Sequence, residues 1–67
     1  MRQLGFEELM DLAFKARKLK DLKTLKEANE EFNRRVERRI KLKRRVMKTS
    51  LSGQEQTKKW IQELENK

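Results

Sequence analysis

The sequence contains no cysteine, no histidine and no proline, and only two of its 67 residues are glycine. Without cysteine there is no disulfide framework, and without cysteine or histidine the usual zinc and thiolate sites are excluded. No apolar run approaches the roughly 20 residues that a membrane-spanning helix needs, so we expect no membrane span. Met1 is not followed by an apolar segment either, so we expect no signal peptide and a cytoplasmic location.

Apolar residues are also scarce. Hydrophobic side chains make up 34% of the chain and charged ones 45%. We expect one small helical domain over residues 1–67, and its core must be thin. A domain of this size usually derives only roughly 3–5 kcal/mol of stability from its core. Burial against a second copy would add to that, so a homodimer is one alternative.

Candidate catalytic groups are equally few. Glu7, Glu8 and Asp11 lie close together in the sequence, and paired carboxylates can serve acid–base catalysis. However, no histidine, cysteine nucleophile or glycine-rich phosphate loop accompanies them, and acids at a helix start commonly stabilise the helix dipole. We therefore expect a non-enzymatic protein that uses no cofactor and no metal.

Good helix formers dominate the chain, and the first apolar residues recur at helical spacing. Their pattern predicts helix A over about residues 6–19. The face consists of Phe6, Leu9, Leu12, Ala13, Ala16 and Leu19. Met10 and Phe14 widen it, either as core residues or as an exposed apolar edge for dimerisation.

A second helix is expected after a break near residues 20–23. Thr24 and Glu27 fit a capping box, with Asp21 as a rival cap, and predict helix B over about residues 24–50. The apolar stripe of this helix drifts slowly, which argues against a strict heptad repeat. The stripe consists of Leu25, Ala28, Phe32, Val36, Ile40 and Met47.

A third helix is indicated by a further capping box, Ser52 to Glu55. It predicts helix C over about residues 53–66, with Trp60 packed on helix B. The predicted fold class is all-α: an antiparallel helical hairpin with a short third helix packed on the long basic second helix. Helix A can cover only half of helix B, so we assign helix C to the C-terminal half.

Positive charge is concentrated in one segment, NRRVERRIKLKRRVMK, at residues 33–48. It contains nine Lys or Arg and one Glu, and so carries a charge equal to the net charge of +8 of the whole chain. On a continuous helix, side chains spaced 4, 3, 4 and 3 apart would form a cationic ridge roughly 21 Å long. The ridge consists of Arg34, Arg38, Lys41, Arg45 and Lys48, with Arg35, Arg39 and Arg44 as auxiliary residues.

Helix stability does not require such a ridge, because like charges four residues apart cost a few tenths of a kcal/mol. The ridge does suit phosphates, since each neutralised phosphate releases a counterion. We therefore predict binding to nucleic acid, either DNA or RNA. Adenine-reading amides beyond Asn33 are missing from the segment, which predicts backbone contacts of low sequence specificity. Aromatic residues are missing too, so the segment itself offers no stacking platform for single strands. A solvated face, an anionic membrane and an acidic protein surface are the alternatives.

The N-terminal half supports another interpretation. Over roughly residues 1–36, a set of residues in one ungapped register resembles the Sda family of sporulation antikinases. The set is Met1-Arg2, Leu4, Glu7, Leu9, Phe14-Lys15-Ala16, Glu27, Glu30 and Arg35. The resemblance implies a helical hairpin that docks on the helical stalk of a histidine kinase and blocks phosphotransfer.

On that resemblance, Leu22 and Leu25 near the hairpin turn would approach the kinase. Met10 and Phe14 complete the candidate protein-binding face. Family members are shorter and lack both the basic extension and the helix of Trp60. Asp21 stands where they tend to place an apolar turn residue. The resemblance therefore implies a regulatory protein–protein interaction with a helical partner as the alternative to nucleic-acid binding.

Overall fold

The computed structural model describes residues 5–66, and within this range the chain forms three α-helices and no strands. α1 spans Phe6–Lys18, α2 spans Leu22–Lys41 and α3 spans Lys48–Glu65. α2 contacts both α1 and α3, which also contact each other. The predicted all-α class with three helices is therefore confirmed. None of the helices in the described range is long and apolar enough to cross a membrane.

α1 agrees with predicted helix A to within one residue. Leu9, Ala13 and Ala16 are buried against the core, as the apolar spacing predicts. Leu12 and Leu19 were expected on the same face, but both are exposed. The buried stripe of α1 is thus narrower than predicted.

α2 begins at Leu22 and is capped by Asp21 rather than by Thr24. The Thr24 amide donates to Asp21 Oδ1 at 3.3 Å, and the Thr24 hydroxyl donates to Asp21 Oδ2 at 2.6 Å. These bonds stabilise the ionised carboxylate and lower the pKa of Asp21 below its usual value. The capping box at Thr24 is therefore wrong, and the rival cap forms instead.

α2 ends at Lys41, although helix B was predicted to continue to Ser50. The chain leaves the helix at Lys43, which has a φ of 54°. The amides of Lys43 and Arg44 donate to the carbonyls of Ile40 and Arg39 at 3.0 and 2.8 Å, which is the bonding pattern of a Schellman motif. Glycine usually occupies the left-handed position of this motif, so the lysine-rich sequence gave no sign of the helix end.

The connection between α1 and α2 contains a second Schellman motif. Lys20 has a φ of 55°. The amides of Lys20 and Asp21 donate to the carbonyls of Arg17 and Ala16 at 3.2 and 2.8 Å. Both helix ends thus place a lysine in a conformation that costs an L-residue roughly 1–2 kcal/mol, and tertiary packing must compensate for that cost.

α3 begins at Lys48, five residues before predicted helix C, so the capping box predicted at residues 52–55 lies inside the helix. The buried residues of α3 are Ser50, Gly53, Thr57 and Trp60. Their spacing of 3, 4 and 3 is helical, but three of them are small or polar. A search for apolar side chains therefore misses the first two turns of this face.

Gly53 allows α3 to lie close to α2. A Cβ atom at this position would stand only 2.5–2.8 Å from the ring of Phe32, which is fully buried. The Phe32 ring also makes an edge contact with Phe6, with ring centroids 6.1 Å apart. Three elements therefore meet at Phe32, and any side chain on Gly53 would displace one of them.

α3 runs back along the first two-thirds of α2. Gln54 hydrogen-bonds to Asn33, Asn29 donates to the hydroxyl of buried Thr57 at 2.7 Å, and Lys26 pairs with Glu65 at 3.2 Å. The expected packing of the third helix on the second is confirmed. α3 extends farther along α2 than the C-terminal half assigned to it, because its own C-terminal end lies beside Lys26. Within the predicted C-terminal half of helix B, residues 42–47 form the connection to α3.

Trp60 is buried in the core cluster with Leu25 and Phe32. Its ring also makes an edge contact with Phe14 of α1, with centroids 6.1 Å apart. The guanidinium carbon of Arg17 lies 5.2 Å from the centroid of the indole ring, a cation–π geometry. Trp60 thus joins α3 to both other helices.

Substitution of Gly53 by alanine tests the close approach of α3 and α2. Helix propensity alone would raise the free energy of unfolding by about 0.5–1 kcal/mol. Overpacking against Phe32 costs about 1–3 kcal/mol, so we expect Gly53→Ala to lower stability on balance. Urea denaturation followed by Trp60 fluorescence measures the change. Ser52→Ala, at an exposed neighbouring position, is the control and should not lose stability. A stabilised Gly53→Ala variant would contradict the packing described.

Glycine substitution at two nearby lysines tests the end of α2. Lys43→Gly should raise the free energy of unfolding by about 1 kcal/mol, because glycine adopts a positive φ without strain. Lys41→Gly makes the same chemical change within the last helical turn and should lower it by about 1 kcal/mol. Equal destabilisation by both changes, measured by urea denaturation, would mean that the helix continues through Lys43.

Candidate nucleic-acid interface

The predicted cationic ridge is divided among three parts of the fold. Arg34, Arg38 and Lys41 lie on α2, Arg45 lies in the connection between helices, and Lys48 is the first residue of α3. Because α2 ends at Lys41, these five side chains do not form one continuous helical row. The residue types of the prediction are present, but its geometry is wrong.

The part of the ridge on α2 keeps its helical spacing. Arg34, Arg38 and Lys41 border a shallow depression of about 370 Å³ together with Glu37 and Leu42. Arg34 Nη1 lies 3.8 Å from a carboxylate oxygen of Glu31, and both side chains are partly solvated. Two acids therefore moderate the charge on this side of α2.

A second and larger depression, of about 550 Å³, lies where the end of α2, the connection and the start of α3 meet. We call it the arginine cleft. Its described lining residues include four arginines and no acidic residue. They are Phe6, Arg35, Arg38, Arg39, Leu42, Arg44, Met47, Thr49 and Ser50. The cleft thus gathers one ridge residue, Arg38, and all three residues that were predicted as auxiliary.

The turn at Lys43 builds this cleft. By ending α2, it brings Arg44 back toward the side of the helix that carries Arg35, Arg38 and Arg39. Arg39 Nη1 donates to the carbonyl oxygen of Arg45 at 3.3 Å, which ties the connection to α2. Arg35 Nε lies 3.4 Å from Glu31 Oε1, so the carboxylate of Glu31, one turn earlier on α2, holds the Arg35 guanidinium in place.

The electrostatics of the cleft favour an anion. Each guanidinium is permanently charged and offers five N–H donors in a planar fork. Arg35 is paired with Glu31, and the other three guanidinium groups around the concave surface repel one another and concentrate a positive potential in the depression. In the described structure, neither Arg38 nor Arg44 forms an ion pair with a protein carboxylate, so both are available to a ligand.

One wall of the cleft is not basic. Phe6, Leu42 and Met47 contribute apolar surface, and the last two are 57% and 50% exposed. Thr49 and Ser50, in the first turn of α3, add hydroxyl groups. The sequence did not indicate the role of Phe6, because it lies far from the basic segment and only the tertiary fold brings it there.

The candidate protein-binding residues do not form one exposed face. Leu25 is fully buried, and Leu22 and Met10 are half-buried, with Met10 packed against the core. Phe14 is 48% exposed, and its ring contacts Trp60. Leu25 is therefore a core residue that could not touch a partner directly. Phe14 is the most accessible of the four.

Two further apolar side chains are exposed in α1 and directly after it. They are Leu12 and Leu19, both of which were expected in the core. Of the residues that resemble the Sda family, Met1, Arg2 and Leu4 lie outside the described residues. Comparisons with protein-family models, with curated proteins and with solved structures found no match.

Proposed function

We propose that this protein binds nucleic acid through its phosphate groups, with the arginine cleft as the principal contact. One observation supports the proposal above all: four guanidinium groups surround a single depression, and no acidic residue is among its described lining residues. The remaining residues of the predicted ridge extend the contact. They are Arg34, Lys41, Arg45 and Lys48.

Arginine suits this role better than a general basic surface would. Its planar fork donates two parallel hydrogen bonds to a phosphate, and charge-assisted bonds of this kind are roughly twice as strong as neutral ones. A strand also presents several phosphates in succession, so the flanking bases add to the affinity by releasing counterions. Contacts to the backbone carry no base information, so we expect low sequence specificity for DNA or RNA.

A second candidate function is regulation through a protein partner, as the likeness to the antikinases implies. The observation in its favour is a pair of exposed apolar side chains, Leu12 in α1 and Leu19 directly after it, which lie on one side of the helix because they are two turns apart. Phe14 is exposed as well, on another side of α1. On this alternative, α1 and α2 act as a helical hairpin that docks on a helical partner or on a second copy of the chain. Both candidate functions belong to a non-enzymatic cytoplasmic protein.

Salt-dependent binding tests the proposed function. Fluorescence anisotropy with labelled DNA and RNA should give log affinities that fall linearly with log salt, with a slope of about −4 to −5 for four or five engaged phosphates. The double variant Arg38→Gln, Arg44→Gln should bind more weakly and lose about two units of that slope. The loss follows because each substitution removes one phosphate contact.

The matched control is Lys58→Gln, Lys59→Gln, which removes the same two charges from exposed positions on α3. It should retain the slope of the natural sequence. Equal losses in both double variants would show that only net charge matters. If neither DNA nor RNA binds at low salt, the proposal is excluded and binding of a protein partner to the α1 surface is favoured. Phe14→Ala and Leu19→Ala would then be tested for the loss of a protein partner.

A further inference from the structure

The arginine cleft combines two kinds of surface that a duplex backbone does not need together. Four arginines supply charge, whereas Phe6, Leu42 and Met47 supply an apolar wall. The phosphates of a duplex lie on its outside and its bases are stacked inside, so a duplex would leave this wall unused. The apolar wall contributes to binding when an uncharged apolar or aromatic group enters beside the phosphate, as an unpaired base would.

The size of the cleft fits one such unit. Its volume of about 550 Å³ lies within the range of roughly 300–1,000 Å³ that is typical of small-molecule sites. A nucleotide, with one phosphate and one base, carries the same two kinds of group as the lining. An inorganic anion would occupy only the basic part.

Ser50 supplies a hydroxyl group that a ligand can reach. The residue is only 8% exposed, it lines the cleft, and its hydroxyl takes part in none of the hydrogen bonds among the described residues. No buried side-chain oxygen of the described residues lacks a hydrogen-bond partner, so this hydroxyl keeps access to the solvent in the cleft. A phosphate oxygen in the cleft can accept a hydrogen bond from it, beside the Thr49 hydroxyl in the same helical turn.

We infer that the arginine cleft receives a single nucleotide unit of an unpaired strand. The phosphate lies against Arg38, Arg44 and the hydroxyl of Ser50. The base lies against the apolar wall. This inference rests on the proposed function and specifies its substrate class, which is single-stranded nucleic acid rather than duplex. Recognition of the base is by apolar contact, so it tolerates different bases.

Phe6 is suited to this contact although it is half-buried. Its ring meets Phe32 edge to face inside the protein, which fixes its orientation. The remaining surface of the ring borders the cleft. A ring held rigidly by the core loses little conformational entropy when a base packs on it, so the contact does not require rearrangement of α1.

The test compares a labelled single strand with a hairpin duplex that has the same number of phosphates, by anisotropy at one salt concentration. The duplex has the higher charge density, so charge alone favours it. We expect the single strand to bind at least tenfold more tightly. Adenosine monophosphate should displace the strand at concentrations where inorganic phosphate does not, and it should shift the NMR amide signal of Ser50.

Single substitutions separate the contribution of the apolar wall from that of the polar groups of the cleft. Met47→Gln keeps the side-chain length but removes apolar character, and it should weaken single-strand binding at least threefold without changing the salt slope. Leu51→Gln is the matched control at a partly exposed position outside the cleft and should have no effect. Ser50→Ala should weaken binding about three- to tenfold, as expected for one lost hydrogen bond, whereas Ser52→Ala should not.

Three other outcomes of these binding experiments would contradict the inference, and each points to a different explanation. Equal binding of duplex and single strand with a steep salt slope would exclude the nucleotide pocket and leave the proposed function intact. Failure of both nucleic acids to bind would exclude both. Binding to vesicles of anionic phospholipid that is sensitive to Met47→Gln, without displacement by adenosine monophosphate, would assign the cleft to a lipid surface instead.

Discussion

The fold depends on the contact between Gly53 and Phe32. The Phe32 ring is fully buried and occupies the space in which a side chain at Gly53 would stand, so α3 can lie directly against α2. The polar contacts of Asn29 with Thr57 and of Asn33 with Gln54 follow from that approach. For Gly53 to reach Phe32, the chain must reverse between the two helices, and this reversal requires α2 to end at Lys41.

The basic segment acquires its shape from the same reversal. On an uninterrupted helix, its charges would spread along a convex face and remain fully solvated. The turn at Lys43 folds Arg44 back toward Arg35, Arg38 and Arg39, and the resulting depression is lined by Phe6 from a distant part of the chain. Like charges gathered in one concave site oppose folding, and two lysines adopt a conformation with positive φ. A ligand that neutralises the arginines would therefore also stabilise the fold.

Much of this architecture can be predicted from sequence, because α1 carries regular apolar spacing and acidic residues in its first turn, and α2 carries regular apolar spacing. Three features could not be predicted in this way. Lysine rather than glycine occupies the left-handed position at the end of two helices, so the usual sequence signal of a helix end is missing. Two small residues, Ser50 and Gly53, begin the buried face of α3, so the hydrophobic pattern fails in its first two turns. The basic residues were identified correctly as types, but their arrangement depends on the helix end, and the contribution of Phe6 depends on tertiary packing alone.

The backbone conformation of residues 41–48 tests the account most directly, because both the packing of α3 and the arginine cleft require the helix to stop there. NMR chemical shifts and amide–α-proton couplings of the uniformly labelled protein report it residue by residue. The account predicts helical values through Lys41, a positive φ at Lys43, extended or irregular values up to Met47, and helical values again from Lys48. Uninterrupted helical values from Leu22 through Ser50 would contradict it, because no cleft could then form and the charges would lie along a single helical face.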